Sequence, residues 1–262
     1  MCRLFFSYNY EPSKMRELLN EAFLQAHIGK YIGNYGPTKD GYGIHWRHTR
    51  RGGRRSRCRR ARTYKNTTSY LVNPEHDCVV KKIGTADLVL CHLRTYANTL
   101  AHVDIRNTHP FVWRDIAFVH NGELLEFVEN RVAILREMGE KWSSLIRGET
   151  DTEHLFYLWL SYLNGAEGAP AGVAALKKVV AFLKYLNVIF RLNFIIVARD
   201  YWIASRIVLK SKKTPELLPL YIFRGGGGGG GAAAGDKVLI STNKLIPHQK
   251  MIGKNKIVYG HF

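Results

Sequence analysis

The distribution of apolar and polar residues divides the chain into stretches of two different periods. Residues 2–8 are too apolar for a clean alternation, which predicts a strand buried on both faces. Residues 12–25 instead set Met15, Leu18, Leu19, Ala22 and Phe23 at helical spacing. Apolar runs at 41–46, 87–94 and 116–119 have strand length. Residues 123–138 read as a helix with Leu124, Leu125, Val128, Val132 and Leu135 on one side. Residues 150–163 open with Thr150-Asp151-Thr152-Glu153, a capping-box pattern, ahead of a stripe of Leu155, Phe156, Trp159, Tyr162 and Leu163. Another such helix is predicted over 173–186, followed by strands over 194–198, 201–208, 220–223 and 237–241. Strands, then helices, then strands again predict an α+β fold with mostly antiparallel sheets, not a regular βαβ alternation.

Composition adds a substantial core to this picture. Hydrophobic residues make up 46% of the 262 positions, with 14 Tyr, 12 Phe and 5 Trp. No internal repeat and no second domain emerge, so one domain over 1–262 is expected. The apolar stretch 179–190 is broken by Lys184 and Asn187, short of the roughly 18–20 residues of a membrane span. The first residues lack the apolar segment of a secretory signal, and a soluble, cytoplasmic protein is expected. Cys2, Cys58, Cys78 and Cys91 show no C-x-x-C spacing, which argues against a zinc site or a disulfide framework. His92, His102, His109 and His120 are spaced 10, 7 and 11 apart, none of them one helical turn, so no metal is expected.

Charge singles out one segment. Lys and Arg total 39 against 21 Asp and Glu, a formal +18, and nine arginines fall between Arg47 and Arg62 with no acid among them. This basic insertion, about 47–65, contains Gly52-Gly53 and suits a hairpin tip or solvated loop. It predicts weak, salt-sensitive polyanion binding, with no aromatic before Tyr64 for base stacking. A glycine- and alanine-rich loop over 225–235 has almost nothing to bury.

Four places carry candidate chemistry. Initiator methionine is normally removed ahead of so small a residue as Cys2, which leaves a thiol beside a free α-amine, nucleophile and base in one residue. His120-Asn121-Gly122 closes an apolar run, and an Asn amide with a Gly N–H can stabilise an oxyanion; a plain Asn-Gly turn is the simpler account. Arg94 ends another apolar run and can grip a carboxylate through its planar fork, or form a surface ion pair. Asp151, at a helix start, stays ionised in the dipole field and can hold an ammonium group, or simply cap the helix.

Together and in this order these residues resemble the class II glutamine amidotransferases, a family of N-terminal nucleophile hydrolases. The resemblance is carried by Met1-Cys2-Arg3-Leu4-Phe5, Asp40-Gly41-Tyr42-Gly43-Ile44, His92-Leu93-Arg94, Asn107-Thr108-His109-Pro110-Phe111, His120-Asn121-Gly122 and Thr150-Asp151-Thr152-Glu153, over about residues 1–165. Ser241-Thr242-Asn243-Lys244-Leu245 is a weaker match, and the opening looks most like the small stand-alone branch that includes γ-glutamyl hydrolases. The resemblance implies a four-layer αββα sandwich with Cys2 at the end of a central strand. It implies hydrolysis of the γ-carboxamide of glutamine, or of another γ-glutamyl amide, through a Cys2 thioester. Arg94 would bind the α-carboxylate, Asp151 the α-ammonium, Asn121 and Gly122 the oxyanion, and His109 would shape the pocket. No cofactor is implied, and with no acceptor-binding domain in view the ammonia would pass to a separate synthase subunit. Thr95 and Ala97 depart from the aromatic and the Ser or Thr that the family carries after this arginine. The same residues also suit a γ-glutamyl hydrolase with no transfer step, or an interaction subunit whose active site has lapsed.

Overall fold

The computed structural model describes residues 2–28, 40–48, 61–94, 103–209, 219–225 and 236–262. Residues 49–60 of the arginine run, Thr95, Ala97 and His102, and 226–235 of the glycine-alanine tract lie outside the described residues. In chain order the elements begin with β1 (Arg3–Tyr8), α1 (Pro12–Ile28), β2 (Tyr42–Arg47), β3 (Arg62–Asn66), α2 (His76–Ile83) and β4 (Leu88–Leu93). There follow β5 (Phe111–Trp113), β6 (Ile116–Leu124), α3 (Phe127–Met138), α4 (Glu140–Ser143), α5 (Asp151–Leu163) and α6 (Ala169–Tyr185). The last are β7 (Phe190–Val197), β8 (Tyr201–Leu209), β9 (Tyr221–Gly225), β10 (Lys237–Ser241), β11 (Lys250–Met251) and β12 (Lys256–His261). They divide between two compact units, each drawn from separate stretches of the chain.

The first unit holds a seven-stranded sheet in the order β11-β9-β10-β1-β4-β2-β3. Its pairings are all antiparallel. Phe5, Tyr42, Ile44, Val89 and Leu239 project from one face onto Leu18, Leu19 and Phe23 of α1 and Val79 and Ile83 of α2. Full burial of each such side chain is worth about 1.5–3 kcal/mol. Leu4 and Phe6, which point the other way along β1, are buried just as completely, so the double burial expected of this strand holds. β3 escapes the sequence pattern because Arg62-Thr-Tyr-Lys-Asn is polar throughout. It is an edge strand, where charge discourages further pairing. It lies antiparallel to β2, with Trp46 opposite Arg62.

The second unit holds a five-stranded antiparallel sheet in the order β12-β8-β7-β6-β5. Phe118, Phe190, Leu192, Phe194 and Ile203 pack against Phe156, Trp159 and Leu160 of α5 and Leu176, Val179 and Leu183 of α6. α5 packs against both α3 and α6, which is why residues Thr152 to Leu160 are all buried where a single stripe was expected.

Two expectations fail in this unit. β6 does not end at Val119: it continues through Asn121 and Gly122 to Leu124, because eight of its residues pair with β7. The Asn-Gly pair is therefore mid-strand, neither a turn nor the entrance to a helix. α3 then begins only at Phe127, after Glu126 adopts φ 54°. With Leu124 taken by the strand, the helical face shifts: Val128 and Val132 are exposed, while Ile134 and Met138 are buried. The capping box also forms only in half. Thr150 Oγ1 accepts from the Glu153 N–H at 3.2 Å. The Glu153 carboxylate, however, accepts from the N–H groups of Arg147 (3.0 Å) and Gly148 (2.6 Å), stapling the preceding loop instead of Thr150.

Candidate active site

In the first unit, the predicted nucleophile stands at the N-terminal end of β1. Arg3 pairs with Leu93, so Cys2 and Arg94 are the next facing positions at the same end of adjacent strands. Cys2 is half-buried and Arg94 buried. The Arg94 backbone is fixed from both sides: its N–H donates to the Gly41 carbonyl (2.9 Å), and its carbonyl accepts from the Asp40 N–H (3.3 Å). The Asp40-Gly41 motif thus acts by holding the residue that carries the guanidinium. On the other flank of β1, Thr242 brackets Leu4, donating its N–H to the Leu4 carbonyl (3.1 Å) and accepting the Leu4 N–H on Oγ1 (3.2 Å). The next residue, Asn243, is buried, and its Oδ1 has no partner among the described residues.

His109 is buried in the same unit, its ring centroid 3.9 Å from that of His92 on β4. The segment carrying it crosses β2 so closely that a Cβ on Gly43 would lie 1.9 Å from the His109 carbonyl oxygen. Only glycine admits that approach, which gives the glycine of the Tyr42-Gly43 motif a packing reason. Among the cysteines, burial pushes the Cys91 thiol well up and leaves it inert, whereas Cys2 keeps partial exposure.

In the second unit, Asn121, Gly122 and Asp151 lie close along β6 and the start of α5. The Leu125 N–H donates to the Ile189 carbonyl (2.9 Å), so odd positions of the β6 strand direct their backbone groups to β7. His120, Gly122 and Leu124 therefore point theirs to the opposite edge, which β5 covers only along 116–118. There the Leu124 N–H donates to Asp151 Oδ2 (2.7 Å), leaving the Gly122 N–H directed off the ladder two residues earlier. Asn121 sits on the sheet face away from α5 and α6, opposite the fully buried Asn193 and beside the Glu123–Arg191 ion pair. A Cβ on Gly122 would meet the Arg191 carbonyl oxygen at 1.8 Å and His120 Nε2 at 2.6 Å.

Asp151 is the first residue of α5. Its Oδ1 accepts from the N–H of Thr152 (2.7 Å). Below it, the wholly buried His120 bridges strand and helix: Nδ1 lies 2.9 Å from Thr152 Oγ1, and Nε2 lies 3.0 Å from the Arg191 carbonyl oxygen. Burial holds the His120 pKa below its ordinary value. His120, Thr152 and Thr242 fall within motifs legible in the sequence, but none carried a role in the site there. Their types are unremarkable in it, and only the pairing of β6 with α5, or of β1 with the Ser241-Thr242 turn, gives them partners. Among the described residues no three His, Cys, Asp or Glu side chains converge on a common point. Of the six site residues expected, Cys2, Arg94 and His109 belong to the first unit and Asn121, Gly122 and Asp151 to the second.

Comparison with known proteins bears on this arrangement. The family model described as glutamine amidotransferases class-II matches residues 15–206, well over half of the chain and beginning after Cys2. The probable glutamine amidotransferase DUG3 of Saccharomyces cerevisiae is 33% identical over 79 residues, which are 30% of this chain and 22% of the relative. The match thus spans under a quarter of that relative's length. A glutamine aminotransferase class-II domain protein from Silicibacter pomeroyi is similar in structure at a TM-score of 0.61 and 18% identity, over 98% of this chain and 94% of that one. Glutamine phosphoribosylpyrophosphate amidotransferase from B. subtilis is similar at a TM-score of 0.56 and 18% identity, over 92% of this chain but 42% of that one. The two structures share the fold, with its mixed α/β composition and antiparallel sheets. By the family match, the chain belongs to the class II glutamine amidotransferases.

Proposed function

We propose that this chain hydrolyses the γ-carboxamide of glutamine, or of a close γ-glutamyl amide, through a thioester on Cys2. The observation that carries the reading is the register of β1 and β4. It makes a half-exposed thiol and a buried, backbone-anchored guanidinium neighbours at one sheet end. With Met1 removed, the Cys2 α-amine takes the thiol proton, and the thiolate attacks the γ-carbonyl carbon. Charge gathers on the carbonyl oxygen, where the Asn121 amide and the off-ladder Gly122 N–H are the donors; each lost donor would raise the barrier by about 2.7–4 kcal/mol. The carbon–nitrogen bond breaks, and the nitrogen leaves as ammonia with the proton held by the amine. Water then attacks the thioester, regenerating the thiol and releasing glutamate. Arg94 holds the substrate α-carboxylate through its fork, and Asp151 holds the α-ammonium.

The test is glutamate release from L-glutamine and a panel of γ-glutamyl amides, with protein whose mass confirms Met1 removal. Release from glutamine, lost in Cys2→Ala, supports an ammonia-supplying enzyme that serves a separate synthase partner. Release only from other γ-glutamyl compounds assigns the chain to hydrolysis without transfer. No release from any of them sinks the proposal.

A further inference from the structure

His120 takes no part in the steps just described, yet its contacts run straight to Asp151. Its Nε2 faces the Arg191 carbonyl oxygen at 3.0 Å, and a carbonyl only accepts, so Nε2 carries hydrogen. In the neutral ring Nδ1 is then an acceptor, and the Thr152 hydroxyl, 2.9 Å away, donates to it. Thr152 has a single hydroxyl hydrogen. Directed at His120, it is withheld from Asp151 Oδ1, which lies 3.3 Å from the same oxygen. Asp151 then keeps two backbone donors, the N–H of Thr152 on Oδ1 and of Leu124 on Oδ2, with lone pairs left for a ligand. Protonating His120 reverses the order. Its Nδ1–H would donate to Thr152 Oγ1, and the hydroxyl hydrogen would swing onto Asp151 Oδ1.

We propose that His120 is a positioning residue for the ammonium site: as neutral imidazole it draws the Thr152 hydroxyl hydrogen away from Asp151 and keeps the carboxylate open to the substrate's cation. This rests on the reading of Asp151 as the holder of the α-ammonium. The charged groups that act on the ring are Asp151 on α5 and, across the sheet, Glu123 on β6, which favour its protonation, and Arg191 on β7, which opposes it. Burial outweighs them and favours the neutral form at neutral pH. The relay is local, since a single hydroxyl separates the ring from the carboxylate.

Calorimetric titration of L-glutamine into Cys2→Ala tests this without turnover and without the titration of the nucleophile. Affinity is expected to fall roughly tenfold as acid drives the His120 ring, followed by its 15N shifts, from neutral to protonated, the scale of one hydrogen bond to a charged group. Adding Thr152→Val should remove the acid loss, whatever its effect at pH 7.5, while Thr152→Ser should restore it. An acid loss that persists in Thr152→Val, or a parent affinity unchanged once the His120 ring is protonated, overturns the relay. Ring 15N shifts of His120 in wild-type protein give a check that needs no variant: a neutral ring protonated on Nδ1 also overturns it. Glutamate release by wild type, measured alongside, separates the two readings. Release with the relay refuted leaves the amide hydrolase standing, whereas no release and no glutamine binding removes both.

Discussion

Replacing Gly122 by Ala tests whether β6 and β7 approach as closely as the structure has them. The added Cβ would lie 1.8 Å from the Arg191 carbonyl oxygen, against a shortest ordinary contact of 3.0 Å. The strands must therefore part by more than about 1 Å, and overpacking of this kind costs roughly 1–3 kcal/mol. The same Cβ would stand 2.6 Å from His120 Nε2, so the bond from that nitrogen to the Arg191 carbonyl cannot survive in place. Leaving a buried donor or acceptor unmet adds about 1–3 kcal/mol. The two effects together give about 2–6 kcal/mol. At about 2–4 °C per kcal/mol for a chain near this size, Tm should drop by roughly 4–24 °C. Scanning calorimetry against Gly253→Ala supplies the contrast, because a Cβ there meets only the flexible Lys256 side chain at 3.3 Å. If Gly122→Ala melts within about 1 °C of Gly253→Ala, the close approach, and every distance argued from it, is wrong.

Further expectations concern kinetics, pH and charge. Arg94→Ala should raise KM for glutamine with a smaller change in kcat, whereas Asn121→Ala should lower kcat by about 100- to 1000-fold; steady-state kinetics showing the reverse split would exchange their roles. Burial lowers the pKa values of His120 and His154, so the unfolded chain binds protons that the native state refuses. Stability should consequently fall as pH drops below about 6.5, by up to about 1.4 kcal/mol per pH unit for each histidine that stays neutral in the fold, and urea midpoints at pH 7.5 and 5.5 measure it. A midpoint unchanged across that window contradicts the buried-neutral assignment. The nine arginines from Arg47 to Arg62 should confer salt-sensitive binding to a single-stranded oligonucleotide, seen as anisotropy that decays between 50 and about 200 mM salt. A flat titration at low salt removes that partner class.

Elements with a strong internal period were legible in the chain itself. The α1 helix shows its apolar stripe, and β1 and β4 are runs that only a doubly buried strand tolerates. β3 and β12 were not legible, because edge strands such as Arg62–Asn66 and Lys256–His261 carry polar residues and take their conformation from a partner. The misreading of 120–125 has the same origin. Asn-Gly favours a turn locally, and eight ladder positions with β7 override it. For the site, residue type and position only nominated Cys2, Arg94 and Asp151, each beside a simpler account, and their roles come from what the family resemblance implies. The contacts of His120 and Thr152 depend on which way a ring and a hydroxyl turn inside a packed unit, and no periodicity reports that.

The short β5 strand ties the fold of the second unit to its chemistry. An uncovered strand edge is ordinarily a liability, and proteins pair it, cover it or charge it. β5 pairs with β6 only at 116–118, and beyond that point the even-numbered backbone groups have no ladder partner among the described residues. Asp151 fills one of these places by accepting the Leu124 N–H, and in doing so fixes the start of α5 against the strand. The Gly122 N–H, two residues back, keeps its direction toward the same edge. A β5 longer by four residues would pair with that donor and complete the sheet, and the amide proposed to meet the oxyanion would be spent on structure. The three-residue β5 and the missing side chain at 122 therefore serve one arrangement: a backbone donor held rigidly by β7 on one side and left available on the other.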